Sequence, residues 1–350
     1  MVAVSAPGKL ILMGEHGAVY GQPALTAALG LRVRVDLDAG AGQEVEMDLP
    51  DLGVHVRSSW REIGDYTARA RARWQAFSDG AAFERDDDPA AVVKGALGEA
   101  AGGQEPESLP PLRLRVRSEL PVGAGFGSSA AVSVSVIAGF LLWCGAAMDR
   151  QRVGRLALEV ERRQHGRPSG IDHGTVLRGG VQWAGRDGGG DLRLRPVTAR
   201  PELLQTFRIY DSGPPAESTG TVVAAVADRR QADPAGFDAV LARMRDTAEG
   251  FRGSLESGDS GGIVPAVREF ERSLEEIGVV PQPIRQAVRR LERAGGAAKI
   301  SGAGALSGAS AGCLLVYLPS PSPSPAVPVP ADWRHIDCAM GGPGLRVEAA

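Results

Sequence analysis

The sequence predicts an α+β fold built in two lobes. Period-two apolar patterns fill the first sixty residues and return at Leu112, Leu114 and Val116, the spacing of half-buried strands. Helical patterns are interleaved with them. After Phe237 a three-to-four spacing takes over, and it gives way to closing strands near the C-terminus. That order, mixed first and then helices before strands, is the order of an α+β chain. At about 150 residues per domain, 350 residues make one large or two medium domains. We divide them near residue 185, into lobes 1–185 and 186–350.

The elements follow in order. AVSAPGKLILMGEH and ALTAALGLRVRVDL read as strands joined by glycine turns, the second able to open with a short helix. VEMDLPDLGVHV continues the strands. Residues 60–101 read as helix, broken by Asp86–Asp88 and Pro89. LRLRVRSEL is a strand feeding a loop at 121–129. Leu120–Met148 carries no charge, and Ala130–Met148 is long enough to span a membrane. It is the only such run, it holds Ser133, Ser135 and Gly139, and a glycine-rich loop leads into it. A helix buried on all sides is the reading we adopt. Arg150–Gln164 is a second helix. VQWAG, LRLRPV and FRIYDSG are strands, with a turn at Asp187–Asp191.

Three further helices follow. The first carries Phe237, Val240, Leu241, Met244, Ala248, Phe251 and Leu255, the second Ile263, Val267, Phe270, Leu274 and Ile277, and the third Ile284, Val288 and Leu291. KISGAGALSGASAGCLLVYL is a glycine-rich loop running into an apolar strand. PSPSPSPAVPVP, at 319–330, reads as an extended polyproline II connector. A short strand near Leu345–Val347 closes the chain.

Composition excludes several function classes. Lys plus Arg number 39 against 42 Asp plus Glu, a net charge of −3, which argues against electrostatic capture of nucleic acid or an anionic membrane. Cys144, Cys313 and Cys338 form no CxxC pair and leave an odd count. A disulfide scaffold or cysteine zinc site is not expected, and a reducing cytoplasm fits. The five histidines show no HExxH spacing. MVAVSAPGKLILMGEH lacks the basic and continuous apolar regions of a signal peptide.

Four segments carry chemistry. In PVGAGFGSSAA, Pro121–Ala131, Gly123, Gly125 and Gly127 alternate before Ser128 and Ser129 open the uncharged helix. Alternate glycines let backbone N–H groups converge on an anion, and a helix N-terminus adds donors and partial positive charge. Serine hydroxyls suit Mg²⁺ or a phosphate oxygen. No GxxxxGK[ST] loop occurs, and the dinucleotide fingerprint lacks its distant acid. The plainer reading is a glycine turn that only packs closely.

In SAPGKLILMGEHGAVYGQPA, Ser5–Ala24, Lys9 stands beside a Pro–Gly turn, with Glu15 and His16 in another. The lysine could reach a phosphate or a substrate hydroxyl, or could be an exposed turn lysine. In ERRQHGRPSGIDHG, Glu161–Gly174, a helix ends at His165–Gly166, and a Pro168–Gly170 turn presents Asp172. Asp172 could orient a hydroxyl or accept its proton, or could cap a turn. Glu161 could ligate a metal, or be a solvated charge beside Arg162 and Arg163. KISGAGALSGASAGC, Lys299–Cys313, lets backbone sit against another loop or a ligand, or is a tight bend.

In this order the four segments resemble the GHMP small-molecule kinases, and within them the mevalonate kinases most closely. SAPGKLILMGEHGAVYGQPA is similar to the first motif, PVGAGFGSSAA to the phosphate-binding second and KISGAGALSGASAGC to the third. GRPSGIDHGTVLRGG is similar to the central aspartate segment, and CAMGGPGLRVE to the closing strand.

The resemblance implies an N-terminal lobe with a ribosomal protein S5-like element, a ferredoxin-like C-terminal lobe and a site in the cleft. It implies transfer of phosphate from ATP, with Mg²⁺, to the primary hydroxyl of mevalonate. Asp172 would be catalytic, with Lys9 beside it. Pro121, Gly123, Ala124, Gly125, Gly127, Ser128 and Ser129 would hold ATP. Ser129 and Glu161 would hold Mg²⁺. His16, Thr219 and Lys9 would contact the substrate. Family members are often homodimers, and no residue here decides that state. The alternatives are a sister kinase for phosphomevalonate, a sugar or homoserine, a related decarboxylase, or a non-catalytic sensor, whose expected mark would be loss of Lys9 or Asp172.

Three departures stand out. The third motif is stretched by Leu306, Ser307 and Ser310, which puts its close backbone approach in question. His173 stands where an asparagine is common. Phe126 stands where leucine is usual.

Overall fold

The computed structural model describes residues 1–84, 86–121, 123–188, 190–319 and 328–349. The first lobe is organised by strands β1 (Val2–Met13), β2 (Ala24–Ala39), β3 (Glu44–Leu49) and β4 (Val54–Ser59). Helices α1 (Trp60–Ser78) and α2 (Ala91–Ala101) follow, then β5 (Leu112–Ser118). Ser59 and Glu62 form a capping box that starts α1. The acidic run and Pro89 separate the two helices as expected. Next come α3 (Ser128–Trp143), α4 (Arg150–His165) and α5 (Ile171–Arg178), then the hairpin β6 (Val181–Arg186) and β7 (Leu192–Val197).

These strands and β12 (Arg346–Val347) form one sheet in the order β12-β1-β2-β5-β3-β4, with β6 and β7 branching from β2. The branch is possible because β2 is long. Its first residues, Ala24–Ala27, pair with β6, while Val33–Ala39 pair with β5. The short helix expected at ALTAA is therefore absent. Alanine favours helix locally, but this stretch lies buried between β1 and β6, and pairing on both sides overrides the preference.

Helix α3 lies directly on the sheet. A Cβ on Gly139 would meet Leu37 Cδ1 at 2.4 Å, so glycine permits the close approach. The helix is buried nearly throughout, as its uncharged sequence predicted. Among the described residues no helix is long and apolar enough to cross a membrane.

The second lobe opens with the single turn α6 (Pro201–Leu204) and β8 (Phe207–Asp211). Helices α7 (Thr219–Ala232), α8 (Pro234–Ser257), α9 (Ser260–Glu276) and α10 (Gln282–Arg293) follow, then β9 (Ala297–Ser301), β10 (Cys313–Tyr317) and β11 (Arg334–Ile336). The sheet is antiparallel in the order β11-β8-β10-β9. The apolar stripes of α8, α9 and α10 are buried at the expected positions.

The division expected at residue 185 falls inside the β6–β7 hairpin. By sheet membership the first lobe runs on through Val197 and takes β12 back from the C-terminus. Of the proline-serine connector, residues 320–327 lie outside the described residues.

Candidate active site

The first motif is the hub of the site. The ladder between β1 and β2 slips at Pro7–Lys9. There the Lys9 N–H bonds to the Phe126 carbonyl at 2.8 Å, which draws the 121–127 loop over the strand. Gly123, Gly125 and Gly127 have φ of 76°, 77° and 69°, a region that glycine enters without strain. Between them Ala124 and Phe126 are buried. The loop thus anchors inward through Ala124 and Phe126 and presents glycine backbone between them. A Cβ on Gly123 or Gly125 would meet nothing within 4 Å, so both open toward space. Phe126 fills the inner position without displacing the loop.

Gly127 has a different task. It caps α3, and a Cβ there would lie 2.8 Å from Lys9 Cγ. The Lys9 stem passes over this glycine, and the side chain is only 7% exposed. Its ammonium ends 3.1 Å from Asp172 Oδ1. The lysine places its ammonium beside the start of α3, where a helix end offers free N–H donors and partial positive charge.

The Pro168–Gly170 segment leads to Asp172 as the sequence suggested. Asp172 lies in the first turn of α5, a helix capped by Gly170 at φ 80°. Glu161, buried just before the last turn of α4, accepts from the His173 backbone N–H and from His173 Nδ1, both at 3.0 Å. Ser129 lies in the first turn of α3, and its Oγ is sealed from solvent with no hydrogen-bond partner among the described residues. An unpartnered hydroxyl and a buried carboxylate are each hard oxygen donors of the kind that suits Mg²⁺.

The first motif also meets the third. His16 Nε2 is 2.9 Å from the Ala303 carbonyl. A carbonyl only accepts, so Nε2 carries the proton. Burial holds the His16 ring below the ordinary imidazole range, so it stays neutral. His16 has φ 58°, the one non-glycine residue with positive φ among those described, a strained conformation. Ser301 Oγ donates to the Ile11 carbonyl, and Lys299 pairs with Glu15.

The stretched third motif keeps its close approach in its first half. A Cβ on Gly304 would meet the Val279 carbonyl at 2.2 Å. The added residues run outward. Leu306 N–H and Ser307 Oγ donate to Glu217, and Ala311 N–H donates to Ser212 Oγ. Thr219 is exposed at the start of α7, two residues past Glu217. Among the described residues no hydrogen bond or ion pair joins it to Lys9 or Asp172.

A family model for the GHMP kinases N terminal domain matches residues 90–180. Over 86% of this chain and 88% of the other, the sequence is 30% identical to the mevalonate kinase of Archaeoglobus fulgidus. The chain belongs to the mevalonate kinase family. It is also 34% identical to the mevalonate kinase of Bos taurus, over 52% of this chain and 53% of that protein. The crystal structure of Methanococcus jannaschii mevalonate kinase matches it with a TM-score of 0.74 at 18% identity, over 97% of this chain and 98% of that one. The two-lobed fold is thus the fold of the family.

Three site residues escaped the sequence reading. Lys299 and Glu271 are charges set among apolar neighbours on β9 and α9, and both are buried. An isolated charge on an otherwise apolar face was the available signal. Glu217 closes the stretched third motif, and nothing in GPPAES distinguishes it.

Proposed function

We propose that this chain transfers the γ-phosphoryl group of ATP to the primary hydroxyl of mevalonate, giving 5-phosphomevalonate. The observation that carries this reading is the Lys9–Asp172 pair, set against the helix start and its open glycine loop. The family supplies the substrate class. Phosphoryl transfer runs through a loose transition state, so positioning and charge neutralisation outweigh covalent chemistry.

Each residue then has a role. The backbone of Gly123–Ser128 binds the triphosphate. Lys9 offsets charge on the phosphoryl oxygens and holds the Asp172 carboxylate in place. Asp172, with its side chain 41% exposed, faces the opening and orients the attacking hydroxyl. The hydroxyl proton passes to the Asp172 carboxylate as the bond to phosphorus forms. Ser129 and Glu161 would hold Mg²⁺, which when bound neutralises charge on the phosphates. His16 and Thr219 flank the substrate. A sensor that had lost catalysis would be expected to lack Lys9 or Asp172, and both are present and paired.

Phosphorus NMR of a mixture of protein, ATP, Mg²⁺ and mevalonate tests the proposal. A new phosphomonoester on the primary alcohol, formed with ADP, is the expected result. ADP with free phosphate and no monoester would overturn it.

A further inference from the structure

We propose that His173 is a positioning residue that holds Glu161 ready for the metal; the inference rests on the reading of Glu161 as a Mg²⁺ ligand. Glu161 is a buried carboxylate with 4% of its surface exposed. Its sequence neighbours are arginines, but neither serves it. Arg162 pairs with Glu159, and Arg163 pairs with Glu159 and Glu99. Among the described residues its only polar partners are the two nitrogens of His173.

A buried carboxylate without a fixed cation is costly unless its lone pairs are satisfied. Two N–H donors satisfy one lone pair on each oxygen. The remaining lone pairs are left for an incoming cation. The carboxylate only accepts, so His173 Nδ1 carries its proton in this contact. One donor is main chain and the other side chain, which fixes both the position and the plane of the carboxylate. The His173 ring packs beside Gly170, whose notional Cβ would lie 3.5 Å from its Cε1. The clamp also ties the end of α4 to the first turn of α5, which carries Asp172. The metal ligand and the catalytic carboxylate therefore share one mounting.

The test is Mn²⁺ titration followed by electron paramagnetic resonance, with ADP saturating. It compares the unaltered protein with Glu161→Gln, His173→Leu and His173→Asn. Leucine and asparagine have nearly the same shape, but only asparagine offers an N–H where Nδ1 lies. Loss of a group that orients a metal ligand typically lowers metal affinity about 10- to 100-fold. We expect His173→Leu to fall in that range, His173→Asn to recover most of the affinity, and metal-free ADP affinity to stay unchanged in both. His173→Ala replaces the leucine variant if thermal melting shows that it does not fold. Weakened binding in Glu161→Gln with none in His173→Leu would overturn the role of His173 alone. Unchanged binding in Glu161→Gln would overturn the metal assignment, and the inference with it.

Discussion

The Lys299 ammonium and the Glu15 carboxylate form an ion pair with neither side chain exposed to solvent. The pair joins the turn after β1 to β9, across the two lobes. Lys299 also donates to the Ile300 carbonyl at 2.8 Å, and its charge lies over the Phe270 ring. Beside it on α9, Glu271 accepts from the Ile300 N–H. His16 follows Glu15 directly, so this buried cluster sets where the strained His16 backbone stands.

Removing one partner leaves the other charge buried. Lys299→Met should lower stability by about 3–5 kcal/mol in urea unfolding. Adding Glu15→Gln should restore most of that loss, because no uncompensated charge remains. Equal losses in the single and double variants would contradict the pairing.

Glu271 makes stability depend on pH. Burial pushes its carboxyl well above the ordinary value of 4.5. The folded protein therefore keeps a proton that the unfolded chain releases. That contribution is fully present below the ordinary value and is lost as pH rises through the raised one. Glu271→Gln removes the titration and keeps an acceptor for Ile300. Its melting temperature relative to the unaltered protein should rise as pH climbs above the ordinary carboxyl value. A constant difference would place the carboxyl in the ordinary range.

Gly127→Ala combines two penalties at one position. A φ of 69° costs a non-glycine residue about 1–2 kcal/mol. The new Cβ would also press on the Lys9 stem from 2.8 Å. Turnover should fall by more than the loss of folded protein explains. Calorimetry alongside steady-state kinetics separates the two effects.

Asp172→Asn should lower kcat by at least about 10²-fold. Its carboxylate is partly exposed, so the melting temperature should barely move, and ATP affinity should persist. Lys9→Met keeps the stem over Gly127 and removes the charge, with an expected loss of about 10²- to 10³-fold in kcat. Near-normal turnover in either variant would remove that residue from the reaction.

Much of this was legible in the sequence because it depends on local chemistry. Alternate glycines before Ser128 and the uncharged run that became α3 are local signals, whereas the Pro7–Gly8 turn expected before Lys9 is instead a register slip within β1. Helix α5 was not legible. Gly166, Pro168 and Gly170 break the pattern just before it, and its first turn is capped by Glu161 from another helix. The Glu15–Lys299 pair spans 284 positions, a distance over which local patterning carries no information. The β6–β7 hairpin belongs to the first lobe because β2 is long enough to pair twice, and only the sheet register reveals that. Leu306, Ser307 and Ser310 put the close approach of the third motif in question, yet they lie in the arm held by Glu217 and Ser212.

The central claim is phosphorylation of mevalonate. The most direct measurement compares kcat/KM for ADP release with mevalonate, phosphomevalonate, galactose and homoserine, each with ATP and Mg²⁺. The account predicts turnover with mevalonate that far exceeds the other three and disappears in Asp172→Asn. Turnover that favours another of these alcohols, or none with any of them while ATP still binds, would contradict it.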